Sequence, residues 1–352
     1  MGERTEQAPL APLTTLRIGG PARTLYTPSS EAELVDAVRE ADSGGEALMV
    51  LAGGSNVLIA DSGFDGTVVR VTNTGHDEVG ESEGRVLVEA AAGEPWDGFV
   101  AAMVERGLSG IEALSGIPGT VGATPMQNVG AYGQEVASTI ESVRVWDRGA
   151  GEQRTLAPGE CRFGYRTSAL RGDSSLVVLS VTFALERGGG SPVAYAELAA
   201  SLGVAPGEQA PAAETRDAVL ALRRAKGMVL DADDHDTWSA GSFFTNPVMA
   251  AGEFERFAGR AAEQGFGDPP RFEAGGDEVK SSAAWCIEKA GFDRGESRGA
   301  VALSGRHALA ITNRGGATAA ELLAFAHEIA ARVDDLLGVQ LRPEPVLVGL
   351  EW

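Results

Sequence analysis

The amino-acid sequence predicts an α+β fold, and three observations carry that reading. Strand-like apolar segments at 85–91, 142–147 and 176–185 follow one another with only one helical pattern among them, so the strict alternation of a Rossmann sheet is absent. The C-terminal third adds its own mixture of short strands and long helical stripes. The first glycine-rich turn, at 53–56, lacks the GxGxxG spacing that opens a dinucleotide-binding helix. With 352 residues, 43% of them hydrophobic, the chain has material for two or three ordinary globular domains of about 100–200 residues each.

The elements follow in order. Ser30 with Glu33 forms a capping box ahead of the stripe Leu34, Val35 and Val38, and 47–51 then reads as a buried strand running into Gly53-Gly54-Ser55-Asn56. Residues 85–91 form another strand. A helix from 95 to 106 starts on proline and lines up Trp96, Phe99, Val100 and Met103 on one face. Between 188 and 213, glycine, proline and alanine predict irregular, mobile connections, interrupted by Tyr195 and a short helical patch around Leu198. A helix over 215–226 leads to the acidic run 231–236. Beyond it the order is strand, helix, helix, strand and long helix: Phe243 and Phe244 begin it, 281–290 follows, and Thr318 with Glu321 caps a last helix ending at Leu337. Residues 346–350 read as a strand that returns to an earlier sheet.

A formal charge of -21 and a pI near 4.6 exclude a basic face for nucleic acid or an anionic membrane. Cys161 and Cys286 lie without metal or redox spacing and read as buried reduced thiols. The histidines His76, His235, His307 and His327 do not cluster with them, so no transition-metal site is expected. The acidic run lacks the glycine punctuation of an EF-hand and reads as a solvated loop. The opening MGERTEQAPL has no apolar secretory core and carries Glu6 where a myristoylation motif needs Ser or Thr. No apolar run of about 18 residues is present, and the expectation is a cytoplasmic protein without membrane insertion, a monomer by default.

Chemistry concentrates in three places. The Gly53–Asn56 turn offers successive backbone amides without side-chain obstruction, a nest suited to a pyrophosphate, although most Gly-Gly turns are only turns. The run SGIPGTVGATPMQNVGAYG from Ser115 to Gly133 has too many glycines and prolines for a helix or central strand, yet Ile117, Val121, Met126 and Val129 are too apolar for an idle surface loop. Such a segment lays amides along a large planar cofactor. In GSFFTNP, Gly241 to Pro247, a small hydroxyl stands between a flexible glycine and two aromatics that exclude water.

These blocks, together with LRIGGPA at 16–22, AGGSNVLI at 52–59, FGYRTS at 163–168 and PEPVLVG near the end, resemble the UDP-N-acetylenolpyruvoylglucosamine reductases of peptidoglycan synthesis, in family order and over nearly the whole chain. The resemblance implies a two-lobed FAD-binding region similar to the vanillyl-alcohol oxidase type plus a C-terminal α+β substrate-binding domain. The lobes fall on 1–72 and 73–231, the second joined by the tail 338–352, and the substrate domain on 232–337. Non-covalent FAD and NADPH as co-substrate come with it, and the substrate is UDP-N-acetylglucosamine enolpyruvate.

Carried over residue by residue, the catalytic arginine falls on Arg166, the serine proton donor on Ser242 and the glutamate on Glu344. Hydride delivery to the β-carbon of an enolpyruvyl ether leaves charge on the α-carbon, delocalised into the substrate carboxylate. A planar guanidinium holds that carboxylate by paired, charge-assisted hydrogen bonds, and a hydroxyl then protonates the strongly basic α-carbon. An ionised Glu344 would oppose the developing anion, so a protonated or shared-proton Glu344 is expected. The cofactor segments place Gly53, Gly54, Ser55, Asn56, Ser115, Gly116, Ile117, Pro118, Gly119, Gly122, Ala123 and Ala131 at the flavin. Tyr132, Tyr195, Lys226 and Asn246 are implied contacts for the sugar nucleotide, and Tyr195 marks the branch with a loop closing over substrate. His307 stands where some relatives carry glutamine, and Pro345 follows the glutamate where an aliphatic residue is usual.

Two rival functions start from the same residues. An FAD oxidase of the same architecture would act on an alcohol or lactone, but the Gly53 and Ser115 blocks hold no histidine for the covalent flavin common in such enzymes. A non-catalytic sugar-nucleotide sensor would keep the fold and bind without turnover.

Overall fold

The computed structural model describes residues 2–352. Two compact units divide the chain, and both are discontinuous in sequence. The first takes the N-terminal strand through Ala8, then Ala22–Gly54 and Asp65–Val229; the second takes Pro9–Pro21, Ser55–Phe64 and Leu230–Trp352. The mixed composition expected of an α+β fold is present in each.

The first unit is organised by an antiparallel sheet in the order Glu152–Leu156, Ile140–Asp147, Leu176–Arg187, Arg85–Ala91, His76–Ser82, with Leu108–Ser109 paired to the end of the long strand. Leu176–Arg187, LVVLSVTFALER, is central because most of its side chains up to Leu185 are buried, whichever face they point to. His76–Ser82 is charged and exposed, as an edge strand must be. The helix Trp96–Glu105 closes over this sheet with Trp96, Phe99, Val100 and Met103 buried, and the rings of Trp96, Phe99 and Phe183 stand 5.2 to 6.0 Å apart. A second sheet joins Glu3–Pro9, Pro21–Thr27, Phe64–Arg70 and Leu48–Leu51, the last two parallel and connected through residues 52–63, which hold the short strand Val57–Ile59.

Helix Glu31–Ser43 carries a displaced version of the expected capping box. Ser30 Oγ accepts the Glu33 N–H at 3.3 Å, but the Glu33 carboxylate accepts from the Ser29 N–H and hydroxyl, each at 2.8 Å. The 188–213 segment is more ordered than its composition suggests. Gly190–Pro192 pairs with Gln209–Pro211, and helix Ala196–Leu202 packs Leu198 and Ala199 against Val193, Ala210 and Val219. The following helix begins at Ala212, ahead of the expected 215, and ends at Ala225.

In the second unit the expected cap is complete: Thr318 Oγ1 accepts the Glu321 N–H at 3.1 Å, and the Glu321 carboxylate accepts the Thr318 N–H at 2.9 Å. The resulting helix, Ala319–Leu337, buries Leu322, Phe325, Ala326, Ile329 and Val333 against helices Ala251–Glu263 and Ala283–Lys289 and strands Val301–Leu303 and Ile311–Asn313. Two early segments are stitched into this core. Asn313 donates to the Leu16 carbonyl at 3.0 Å, and Asp61 accepts the Ala319 and Ala320 N–H groups at 2.7 and 3.0 Å. The C-terminal tail returns as expected, Val346–Val348 lying parallel to Val57–Ile59.

Three expectations are corrected. Phe243 and Phe244 do not start a regular strand; both are core residues, 1% exposed, with an isolated bridge from Phe244 to Pro343, and the strand comes later at Val248–Ala250. The helix expected over 281–290 is Ala283–Lys289, with Ser282 as its cap. The acidic run is not uniformly solvated. Asp236 is buried and accepts from Ser304 Oγ (2.9 Å), Gly305 N (3.0 Å), Arg306 Nε (2.9 Å) and Arg314 Nη1 (2.7 Å). Burial pushes its carboxyl up, but these donors outweigh that and hold it below the usual value. Both cysteines are buried thiols, raised by burial to about 11 for Cys161 and about 12 for Cys286. Among the described residues no His, Cys, Asp and Glu grouping suits a metal, and no helix is long and apolar enough to cross a membrane.

Candidate active site

In the first unit the two glycine-rich segments meet backbone to backbone. A Cβ on Gly53 would stand 2.6 Å from the Gly119 Cα, so glycine is required for this approach. Gly54 adopts φ +61, and among the described residues the amides of Ala52, Gly53 and Gly54 donate to no acceptor. The same holds for the amides of Ile117, Gly119 and Thr120, and Thr120 Oγ1 is buried without a partner. A cluster of unspent donors around a turn is what an oxygen-rich anionic ligand requires, and the residues fit a diphosphate-bearing cofactor.

The remaining cofactor candidates are placed differently. Ser115 Oγ donates to the Glu112 carbonyl at 2.6 Å, the Gly122 amide to Ala92 O at 2.8 Å and the Ala123 amide to Thr120 O at 3.0 Å, so these groups shape the cradle from within. Pro118 has no amide to give. Ala131 sits in the hairpin Gly130–Ala131 with Gln134–Glu135. Ser55 and Asn56 belong to the second unit.

Asp97 was not singled out by its sequence, yet it fixes the cradle. Its carboxylate accepts the Gly116 N–H at 2.6 Å and both Arg216 Nη groups at 2.6 and 3.0 Å. Burial pushes this carboxyl up, while Arg216 and the Gly116 amide pull it further down, leaving it below the usual value. The only signal in the sequence was an acidic residue in the first turn of a helix, where it also favours the helix dipole.

Two candidate residues are held in left-handed backbone. Tyr132 has φ +49 in the two-residue turn of the 130–135 hairpin, and Arg166 has φ +51 between the bridged pair Gly164 and Thr167. Non-glycine residues pay about 1–2 kcal/mol for this conformation, and it gathers at functional sites. The two turns are tied together. Arg166 Nη2 donates to the Gly130 carbonyl at 2.8 Å, while the buried Asn128 side chain donates to Glu135 (2.8 Å) and the Gly164 carbonyl (3.1 Å) and accepts the Ala137 N–H (3.1 Å). Arg166 also lies 5.2 Å from the Tyr165 ring centroid.

Tyr132 connects to the other implied substrate residues. The Lys226 ammonium lies 5.7 Å from its ring centroid, Tyr195 meets it edge-on at 5.5 Å, and Lys226 is ion-paired with Glu197. Tyr195 caps helix Ala196–Leu202 and is 47% exposed, hence not a packed core tyrosine. Burial raises the Tyr132 phenol, with Lys226 and Arg223 opposing.

The second unit assembles the rest. Residues 243–245 pair with 342–344: Thr245 N donates to Arg342 O (3.1 Å) and Glu344 N to Phe243 O (2.8 Å), around the Phe244–Pro343 bridge. Glu344 is thereby set opposite Phe243, the residue that follows Ser242. Asn56 joins them, donating its Nδ2 to the Glu344 carbonyl at 3.3 Å across 288 residues, while Val346 N donates to Asn56 O at 3.0 Å. Pro345 is buried and interrupts none of these bonds. His307 Nδ1 accepts the Leu309 N–H at 3.2 Å, and the Leu309 carbonyl in turn accepts Phe243 N–H at 2.7 Å, which sets the His307 turn against the serine loop. Asn246 Oδ1 accepts the Ala283 N–H at 3.0 Å, at the start of helix Ala283–Lys289.

Comparison with known proteins agrees with both halves of this description. Residues 233–348 match the family model described as UDP-N-acetylenolpyruvoylglucosamine reductase, C-terminal domain, and residues 22–157 match one described as FAD binding domain. The UDP-N-acetylenolpyruvoylglucosamine reductase of Thermobifida fusca (strain YX) is 53% identical over 347 residues, 97% of each chain. That of Mycobacterium tuberculosis (strain ATCC 25177 / H37Ra) is 49% identical over 356 residues, 98% of this chain and 95% of that one. The crystal structure of the Thermus caldophilus UDP-N-acetylenolpyruvylglucosamine reductase superposes with a TM-score of 0.65 at 25% identity, covering 99% of both chains. On identity and coverage alike, the chain belongs to the UDP-N-acetylenolpyruvoylglucosamine reductase family.

Proposed function

We propose that this protein is an NADPH-dependent, FAD-containing oxidoreductase that reduces UDP-N-acetylglucosamine enolpyruvate to UDP-N-acetylmuramate in peptidoglycan precursor synthesis. Family membership supports the reaction, and the pairing that brings Glu344 beside the Ser242 segment is the observation that carries the roles of individual residues. The unspent amides of Ala52–Gly54 and of Ile117, Gly119 and Thr120 would hold the cofactor. The bound flavin supplies hydride transfer from NADPH to the β-carbon of the enolpyruvyl ether.

The chain's own residues do the rest. Arg166 holds the substrate carboxylate and stabilises the charge that accumulates there; its strained backbone fixes the guanidinium's origin before substrate arrives. Ser242 donates its hydroxyl proton to the α-carbon. Buried Phe243 and Phe244 behind it keep water from competing for that proton. Glu344, protonated or sharing a proton, supports the serine without opposing the developing anion. Lys226 and Tyr132, with Tyr195, are the proposed contacts for the nucleotide diphosphate and sugar, Asn246 and His307 further substrate contacts, and closure of the Tyr195 segment belongs to the same reading.

The functional division proposed is two cofactor lobes, 1–72 and 73–231 with the tail 338–352, and a substrate domain over 232–337. Those boundaries follow ligands, whereas the compact units follow packing. A cytoplasmic monomer is part of the proposal.

The test is an anaerobic titration of purified protein. NADPH should bleach a yellow, flavin-type spectrum, and one equivalent of the enolpyruvyl sugar nucleotide should restore it. Colourless protein that binds the sugar nucleotide without turnover would favour a sensor, and rapid oxygen consumption with an alcohol would favour an oxidase.

A further inference from the structure

The helix Ala212–Ala225 and the residue after it bring three cations to the cofactor and substrate segments, and two of them are neutralised. Arg216 is bonded to Asp97 at 2.6 and 3.0 Å, and Lys226 is paired with Glu197. Arg223 is different. Among the described residues no carboxylate forms an ion pair with it, its Nε is sealed from water without an acceptor, and Nη2 donates to the neutral Met228 carbonyl at 2.8 Å. Burial pulls its guanidinium below the usual arginine value, against the opposing fields of Tyr132 and Asp97. Arg223 is half-buried, and a guanidinium with one sealed, unsatisfied N–H and no counter-ion is costly to keep unless something else balances it.

The neighbours indicate what that is. A Cβ on Gly116, which has φ +71, would lie 3.4 Å from Arg223 Nε, so the guanidinium sits behind the glycine-rich segment. Tyr132, close enough to perturb Arg223, lies under the Lys226 ammonium and against the Tyr195 edge. Asp97 is close enough to act on Arg223 as well, but its oxygens are already taken by Arg216 and the Gly116 amide.

We propose that Arg223 is a ligand-binding residue whose charge is completed by a bound oxyanion of the diphosphate kind, a group carried by both the flavin cofactor and the sugar nucleotide. The inference rests on the flavoenzyme reading for the identity of those two ligands and on the unpaired guanidinium for the rest. Arg223 thereby couples ligand occupancy to the charge balance of the first unit.

A variant pair tests it, Arg223→Met and Arg223→Lys, with FAD titrated into apoprotein by fluorescence and UDP titrated into holoprotein by calorimetry, each at low and high salt. Arg223→Met is expected to leave the apoprotein melting temperature at or above wild type, since an unbalanced charge is removed. It should weaken one of the two ligands by about 10- to 100-fold and flatten that ligand's salt dependence. Loss in the FAD arm assigns the cofactor, and loss in the UDP arm the nucleotide. A merely structural arginine gives the opposite pattern, lower stability with unchanged affinities, and that result overturns the proposal. Arg223→Lys keeps the charge but loses the planar fork; it should bind about 10-fold more weakly, and wild-type affinities in it overturn the proposal even if the Met variant fails to fold. Wild-type protein that takes up neither FAD nor UDP overturns the flavoenzyme reading too, which no variant result alone would do.

Discussion

Replacing Gly53 by alanine probes the contact on which the cofactor cradle depends. The added Cβ would stand 2.6 Å from Gly119 Cα, 2.9 Å from the Gly119 carbonyl carbon and 3.3 Å from Thr120 N. Carbon atoms settle at about 3.5–4.0 Å, so one turn must retreat by roughly 1 Å. The Gly119 turn is not free to retreat: its carbonyl accepts the Trp96 N–H at 3.1 Å, and Val121 N donates to Glu94 O at 2.9 Å. Overpacking of this kind costs about 1–3 kcal/mol. The same displacement misdirects the amides of Gly119 and Thr120, and losing one charge-assisted hydrogen bond of about 1.5–3 kcal/mol weakens FAD binding by about 10- to 100-fold. Chemical denaturation of the apoprotein reads the first effect and fluorescence titration with FAD the second. Gly159→Ala, where a Cβ meets nothing within 4 Å, is the control. A Gly53→Ala protein with wild-type midpoint and FAD affinity would refute the idea that the two glycine turns form one cradle.

Other perturbations act on named contacts. Asp97→Asn should cost about 1–3 kcal/mol and loosen FAD, because Arg216 loses its carboxylate and the Gly116 amide its anionic acceptor; unchanged flavin retention would place the cradle's support elsewhere. Arg166→Gly should leave the melting temperature unchanged or higher by relieving φ +51, while substrate reduction falls at least about 100-fold; a variant both less stable and still active would contradict both roles. Asp236 has a lowered carboxyl in the folded state, so its contribution is fully present above the ordinary carboxylate pKa and is lost as pH falls through and below that range. Asp236→Asn should therefore flatten the acid limb of a melting-temperature profile while lowering stability near neutrality, and an unaltered acid limb would remove Asp236 as its source.

Much of this structure was legible locally. Pro95 and the spacing of Trp96, Phe99, Val100 and Met103 mark the helix Trp96–Glu105, and Thr318 with Glu321 marks the start of Ala319–Leu337, because caps and apolar periodicity act within a few residues. What local chemistry does not reveal is pairing at a distance. Phe243 and Phe244 have the apolar character of a strand, but they are held by an isolated bridge to Pro343 and by the Leu309 carbonyl, both far along the chain. Asp236 looked solvated because Arg306 and Arg314, which neutralise it, lie far along the chain. The insertion of 9–21 and 55–64 into the second unit is likewise settled by Asn313 and Asp61, neither of which carries a sequence signature. The candidate site divides in the same way. Ser242, Arg166 and Glu344 are proposed from their sequence blocks, whereas Asp97, Asn128 and Arg223 become visible only when their partners, or the lack of one, are seen in three dimensions.

The most direct measurement of the central claim is anaerobic stopped-flow on Ser242→Ala beside the wild type. Bleaching by NADPH should proceed at the wild-type rate, because no proton to the substrate carbon is involved, while reoxidation by the enolpyruvyl sugar nucleotide should slow by about 100-fold or more. Equal slowing of both phases, or reoxidation as fast as wild type, would contradict Ser242 as the proton donor.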